Sequence, residues 1–208
     1  MLNLNKVGRP LAKIDGGKYS GRMVSVSDQF LNSSNQKKEP SDGLIQEFRQ
    51  LKIANDSKFQ HIPDTTKERE ILYITGPSGS GKSTYTRQYL EQYKKKYKNR
   101  EILFSSLPSD ESLDKVGPKR IKLDESMYND PIKVDELSES ICIFDDIDVI
   151  SDKKVRDAVY DVLNQVLEIG RHYKIHCVVT NHLPTNGKDT RRILNEAHTA
   201  TYSPQCRR

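Results

Sequence analysis

Apolar residues are sparse along this chain and gather into short runs from about Ile71 onward. Residues 70–75, EILYIT, make a nearly continuous apolar run closed by Gly76, the pattern of a strand covered on both faces. Residues 141–144 (ICIF) and 175–180 (IHCVVT) repeat it, and 102–104 (ILF) and 120–123 (RIKL) add two shorter strands. Between the last two long runs the spacing becomes helical. Val155, Val159, Val162, Leu163, Val166 and Leu167 share a face, with Asp152 or Ser151 placed to cap the start and Gly170 to end it. A second helix is expected from about Lys82 to Lys98, where Tyr85, Tyr89, Tyr93 and Tyr97 recur every four residues and read as packing surface. Strands alternating with helices demand right-handed crossovers, so the fold class predicted is α/β: a three-layer sandwich around a mainly parallel sheet.

Upstream the pattern differs. Residues 10–14 and 23–26 read as two strands of a hairpin, separated by turn-forming Asp15-Gly16-Gly17. Residues 32–43, NSSNQKKEPSDG, are polar and rich in breakers and read as a mobile loop. The chain therefore divides into a β-rich and mobile extension at 1–66 and a domain at 67–208, which fits a length of 208 residues.

Composition narrows the class. The 34 Lys+Arg exceed the 29 Asp+Glu and leave a net charge of +5, too small to argue for a nucleic-acid partner by itself. No run approaches the roughly 20 apolar residues that span a bilayer, and MLNLNKVGRP lacks the apolar segment of a secretory signal, so a soluble intracellular protein is expected. Cys142 and Cys177 lie in apolar runs and Cys206 in a polar tail, without zinc-ligand spacing.

The chemistry sits at strand ends. Gly76-Pro77-Ser78-Gly79-Ser80-Gly81-Lys82-Ser83 matches G-x-x-x-x-G-K-[ST] after a buried strand and before a helix, where backbone N–H groups can surround phosphate oxygens. The expected ligands are ATP and Mg²⁺, with Lys82 reaching the β- and γ-phosphates, Ser83 ligating the metal and Thr84 completing the nucleotide contacts. Asp145 and Asp146 follow ICIF: Asp145 is placed to hold the Mg²⁺ shell and Asp146 to polarise the attacking water. Strand 175–180 runs into Asn181 and His182; Asn181 is the first choice for a polar γ-phosphate sensor and His182 the alternative.

With these residues assembled, the chain resembles the viral DNA-packaging ATPases of large double-stranded DNA viruses, the poxvirus-like branch of the FtsK/HerA P-loop ATPases. The resemblance covers residues 68–204 and rests on GPSGSGKS at 76–83, ICIFDDID at 141–148, GRH at 170–172, VVTNH at 178–182 and TRRILNEAHTATYSP at 190–204. It implies ATP-driven translocation of double-stranded DNA by a homo-oligomeric ring that works with capsid or portal vertex proteins, in the virus factory of the host cytoplasm or in the virion. It also implies an arginine finger donated by a neighbouring subunit, for which Arg171 is the first candidate and Arg191 and Arg192 the second. Two features depart from the family: Asn181-His182 stands near the usual glutamine, and the family continues with further strand and helix, so a truncated C-terminus is an expectation. Basic groups at 94–100 and 115–122 suit DNA phosphates, but also a solvated helix end, and neither is assigned. The alternatives are a small nucleotide or metabolite kinase, although 105–140 lacks the arginine cluster of a kinase lid, and an assembly protein that binds nucleotide without useful turnover.

Overall fold

Period-two burial shapes the N-terminal unit. The computed structural model describes residues 2–4, 8–26, 57–185 and 187–202. Strands β1 (Leu2–Asn3), β2 (Arg9–Asp15), β3 (Met23–Val26) and β4 (Lys58–His61) form an antiparallel sheet in the order β1-β3-β2-β4. On β2, Ala12 and Ile14 are buried while Lys13 and Asp15 face solvent. The hairpin expected from the sequence is present, with its register shifted between Pro10 and Ala12, where proline has no N–H to give the ladder. The loop expected at 32–43 lies outside the described residues. This unit comprises Met1–Asp64, and Thr65–Arg208 forms the second.

The second unit is built on a six-stranded sheet in which every neighbouring pair is parallel. Its strands β5 (Ile71–Thr75), β6 (Arg100–Ser105), β7 (Lys119–Ile121), β8 (Ser140–Asp145), β9 (His176–Asn181) and β10 (Thr199–Tyr202) run in the order β10-β5-β9-β8-β6-β7. Helices α1 (Lys82–Lys94), α2 (Ser126–Asn129), α3 (Lys153–Ile169) and α4 (Gly187–Glu196) connect them. Alternate side chains feed two cores. Leu72, Ile74, Ile141, Ile143 and Val178 pack with Tyr89, Leu90 and Tyr93 of α1. Ile71, Tyr73, Phe144, Cys177 and Val179 pack on the other face with Val159, Leu163 and Val166 of α3 and Ile193 of α4. The result is the predicted three-layer sandwich, with β9 inserted between the strand that precedes the glycine loop and the strand that ends in acids.

Three boundaries differ from expectation. Helix α1 stops at Lys94, where the last turn tightens as the Lys96 N–H reaches the Tyr93 carbonyl three residues back. The Tyr97 ring then stacks on Tyr93 at 4.6 Å, and both rings pack on His176. The tyrosine stripe is packing surface, as its spacing predicts. Edge strand β7 covers Lys119–Ile121, not 120–123. Strand β10 has no apolar run to announce it; its residues alternate between half-buried and exposed, and pairing with β5 makes it a strand.

The long helix α3 is closed at both ends. Asp152 Oδ1 accepts the N–H groups of Lys154 and Val155 at 2.8 and 3.1 Å, which settles the cap between the two sequence candidates. At the other end Gly170 keeps a right-handed backbone with φ −58°, and a Cβ there would lie 2.3 Å from the Val166 carbonyl oxygen. Glycine is needed for close approach, not for a left-handed turn. The buried Arg69 guanidinium then donates to the carbonyls of Val166, Leu167 and Ile175, the last at 2.9 Å, so a cation meets the negative end of the helix. Arg69→Met removes these donors and leaves buried carbonyls unpaired. It is expected to lower unfolding free energy by about 3 kcal/mol, read as a fall in the urea midpoint, with Arg69→Lys recovering only part of the loss.

Candidate nucleotide site

The polar ends of β5, β9, β8 and β6 lie side by side at one edge of the sheet. From β5 the chain turns through residues 76–81 into α1, with Gly79 at φ 73° and Gly81 at φ 90°, backbone that side chains with a Cβ rarely adopt. Ser80 N–H donates to the Pro77 carbonyl at 3.1 Å, and Gly76 N–H donates to the Asn181 carbonyl at 3.2 Å, which ties the loop to β9. Gly81 offers α1 no side-chain cap, so its leading N–H groups can serve an anion. Lys82 is buried; its Nζ donates to the Gly76 carbonyl at 3.1 Å and lies 3.4 Å from Asp146 Oδ1. One lysine thus joins the glycine loop to the acid strand.

Asp145 ends β8 with its carboxylate buried. Oδ1 accepts from Thr180 Oγ1 at 2.9 Å and Oδ2 from Ser105 Oγ at 3.1 Å. Burial, and secondarily the charge of Asp146, push its pKa above the ordinary carboxylate value. Asp146 takes a left-handed backbone at φ 47°, and its N–H lies 3.0 Å from Thr180 Oγ1 and 3.1 Å from the Thr180 carbonyl. Thr180 has a single hydroxyl proton. Its 2.9 Å contact to Asp145 is shorter than its 3.3 Å contact to Asp146 Oδ1, so it donates to Asp145 and accepts from the Asp146 N–H. The two adjacent acids are thereby turned apart, one into the sheet edge and one toward Lys82.

Asn181 is buried at the end of β9, where its Nδ2 lies 3.5 Å from the Tyr73 hydroxyl and its Oδ1 has no hydrogen-bond partner. The Tyr73 hydroxyl donates to the Leu183 carbonyl at 3.0 Å. His182 N–H donates to Asp148 Oδ2 at 3.1 Å, and its ring lies between Asp148 and Asp146. Ser83 is half-buried at the start of α1, while the exposed Thr84 hydroxyl pairs with Ser112 at 3.3 Å. The Ser83 hydroxyl and the two carboxylates offer only oxygen, a donor set that fits Mg²⁺.

Arg171 is elsewhere. It follows α3 and donates through Nε and Nη2 to Glu68 Oε2 at 3.0 and 2.9 Å, with both side chains exposed. Glu68 precedes β5 and Arg171 precedes β9, so this pair marks the opposite edge of the sheet from Gly76 and Asp145. Arg191 and Arg192 are exposed on α4, Arg192 at 3.7 Å from Glu168. Within one chain the structure brings together Lys82, Asp145, Asp146 and Asn181, and none of these arginines joins them. Thr180, Ser105 and Asp148 complete the site without having been singled out from sequence. The available signal was that several buried strands end in a polar residue; which hydroxyl meets which acid depends on register, Ser105 and Thr180 both standing opposite Asp145.

The raised Asp145 pKa has a stability consequence. A carboxyl whose folded pKa exceeds its unfolded value binds more protons when folded, so its ionisation costs stability as pH rises from about 4 through the folded pKa. Asp145→Asn keeps an acceptor for Thr180 and removes the charge. Its urea midpoint is expected to exceed that of the unmodified protein at pH 7, and the gap should narrow as pH falls toward 4.

Comparison with known proteins agrees with this geometry. A family model described as an AAA domain matches residues 65–165, the stretch holding the glycine loop and the acid strand. Uncharacterized protein V3 of Sputnik virophage is 40% identical over 208 residues, covering 98% of this chain and 78% of V3. Among solved structures, the cytoplasmic domain of EssC superposes with a TM-score of 0.50 at 17% identity over 72% of this chain, which spans 34% of that protein's length and shares its fold. The genome packaging NTPase B204 of Sulfolobus turreted icosahedral virus 2, solved with AMP, gives a TM-score of 0.43 at 14% identity, covering 67% of this chain and 78% of B204. The chain belongs to the family of Sputnik virophage protein V3, and it is a P-loop ATPase whose motifs resemble those of the viral FtsK/HerA packaging type.

Proposed function

We propose that this chain is an ATP-hydrolysing motor that moves double-stranded viral DNA into a capsid. The observation that carries the reading is the 3.4 Å approach of Lys82 to Asp146, which sets the glycine loop beside the second acid of the acid strand. In this reading residues 76–84 hold the nucleotide, with Lys82 on the β- and γ-phosphates. Ser83 and Asp145 hold Mg²⁺, which when bound offsets the charge of the phosphates. Asp146 Oδ2 takes the proton of the attacking water, and Asn181, buried with its side-chain Oδ1 unpartnered, senses the γ-phosphate and orients that water.

Arg171 belongs, in this reading, to a neighbour's site. It lies far from its own chain's nucleotide loop, and its side chain is 70% exposed, so a ring in which it reaches an adjacent subunit gives it a role that the single chain does not. DNA would be gripped through its phosphates without regard to sequence, and portal or capsid proteins would anchor the ring. Residues 67–208 carry the motor chemistry, and 1–66 are an added β-rich extension.

The test is hydrolysis by the full chain with and without duplex DNA. Duplex DNA should raise the rate of the assembled protein, and added salt should weaken the stimulation. Lys82→Ala should lose nucleotide binding. Asp146→Asn should bind ATP normally and hydrolyse it about 100-fold or more slowly. Arg171→Ala should spare binding and slow hydrolysis in mixed assemblies. Equal rates with and without DNA in an assembled ring would refute translocation.

A further inference from the structure

We propose that Asp146, Asp148 and His182 bind a divalent cation of the transition-metal class, additional to the Mg²⁺ of the nucleotide. Asp146 and Asp148 follow β8 and His182 follows β9, so two neighbouring strands deliver all three at one edge of the sheet. One nitrogen of the His182 ring and one oxygen from each carboxylate lie within 4.8 Å of one another.

The atoms already engaged mark out those that are left. Asp148 Oδ2 accepts the His182 backbone N–H at 3.1 Å, and Asp146 Oδ1 faces Lys82 Nζ at 3.4 Å. Each carboxylate therefore has one oxygen held by a neighbour and the other turned to the imidazole. Asp148 Oδ1 lies 3.5 Å from Nδ1, and Asp146 Oδ2 lies 3.5 Å from Nε2. The Asp148 side chain is 6% exposed, yet its Oδ1 makes no hydrogen bond, and neither does the buried Nδ1 of His182. A buried polar atom left unpaired costs about 1–3 kcal/mol, and more when it carries charge. A cation shared by these atoms removes that cost.

The spacing is that of ligands around one ion. Two ligand atoms bonded at about 2.0–2.2 Å to a tetrahedral metal stand about 3.3–3.6 Å apart, and both carboxylates meet the ring at 3.5 Å. An ion takes a single ring nitrogen, so the imidazole turns on binding until that nitrogen faces the metal the carboxylates share. Its backbone is already fixed on Asp148.

Charge favours a cation here. Lys82 offsets one of the two carboxylates. Asp148 also lines a cavity of about 460 Å³ with Asp157, Asp161 and Asp189, where Arg156 is the one cation in the lining. A recess of that sign raises the local concentration of cations beside Asp148. The nitrogen then selects the metal. Mg²⁺ prefers oxygen ligands, as Ser83 and Asp145 supply, whereas imidazole with carboxylates suits Mn²⁺, Co²⁺ or Zn²⁺. An ion at this place ties up Asp146 Oδ2, so hydrolysis slows while nucleotide still binds; this consequence alone rests on the reading of Asp146 as the proton acceptor.

The experiment titrates Co²⁺ alone into the full chain without nucleotide, read by calorimetry and by the visible absorption of the bound ion. One Co²⁺ per chain is expected, retained in Ser83→Ala and in a large excess of Mg²⁺. His182→Ala and Asp148→Asn should each weaken it at least about 10- to 100-fold; asparagine keeps an acceptor for the His182 N–H, so a loss in Asp148→Asn is not a loss of the turn. Absence of Co²⁺ binding, or equal affinity in either variant, overturns the site. Displacement by Mg²⁺, or loss in Ser83→Ala, assigns the ion to the nucleotide's own metal position and also overturns it. With excess Mg²⁺ and ATP, added Zn²⁺ should slow hydrolysis by the unmodified chain and spare Asp148→Asn. If Co²⁺ binds as expected and Zn²⁺ leaves hydrolysis unchanged, the site stands and it is the role given to Asp146 that fails.

Discussion

Strand β9 lies between the strand that leads into the glycine loop and the strand that ends in acids, and it touches both. The Asn181 carbonyl takes the Gly76 N–H, the Thr180 hydroxyl separates Asp145 from Asp146, and the His182 N–H rests on Asp148. Without that strand the loop and the acids would have no common reference. Parallel pairing places all the strand C-termini at one edge, and the register of β9 on both neighbours sets the separation of Lys82 and Asp146.

Charge is distributed along this edge by burial. Asp145 is enclosed and held by two hydroxyl donors, a setting that raises its pKa and keeps its carboxylate in one orientation. Asp146 and His182 retain some exposure, 18% and 28% of their side chains. Rigid and accessible functions are divided between adjacent residues by a single left-handed backbone at Asp146. The helices support this division from outside. Asp152 closes the start of α3 and Arg69 its end, so the turn carrying Asp148 and the turn carrying Arg171 are both anchored by charge at a helix terminus.

Much of this was legible in the chain. The runs at 70–75, 141–144 and 175–180 appear as strands because strands buried on both faces are largely apolar, and α3 appears because its apolar positions keep helical spacing. The glycine loop was legible for a different reason, since surrounding a phosphate with backbone requires glycines and a lysine at particular places. Strand β10 was not legible. Half of its residues face solvent, so nothing apolar marks it, and it exists by adding to an edge that β5 presents. The end of α1 was misplaced because Tyr97 keeps helical spacing while its ring folds back on Tyr93.

Local chemistry decided the elements, the order of strands along the chain and the residue types at the nucleotide loop, because hydrophobic period, capping and backbone freedom are properties of neighbouring residues. Which hydroxyl reaches which carboxylate was decided only by the assembled sheet. Thr180 and Asp145 are 35 residues apart and become partners through register, and Asp148 and His182, 34 apart, through the turns that follow their strands. The same long-range placement set Arg171 against Glu68 at the far edge. Short-range pattern names the groups capable of chemistry, whereas contacts between distant segments, whose loop-closure cost is repaid only when the whole sheet forms, choose which of them meet.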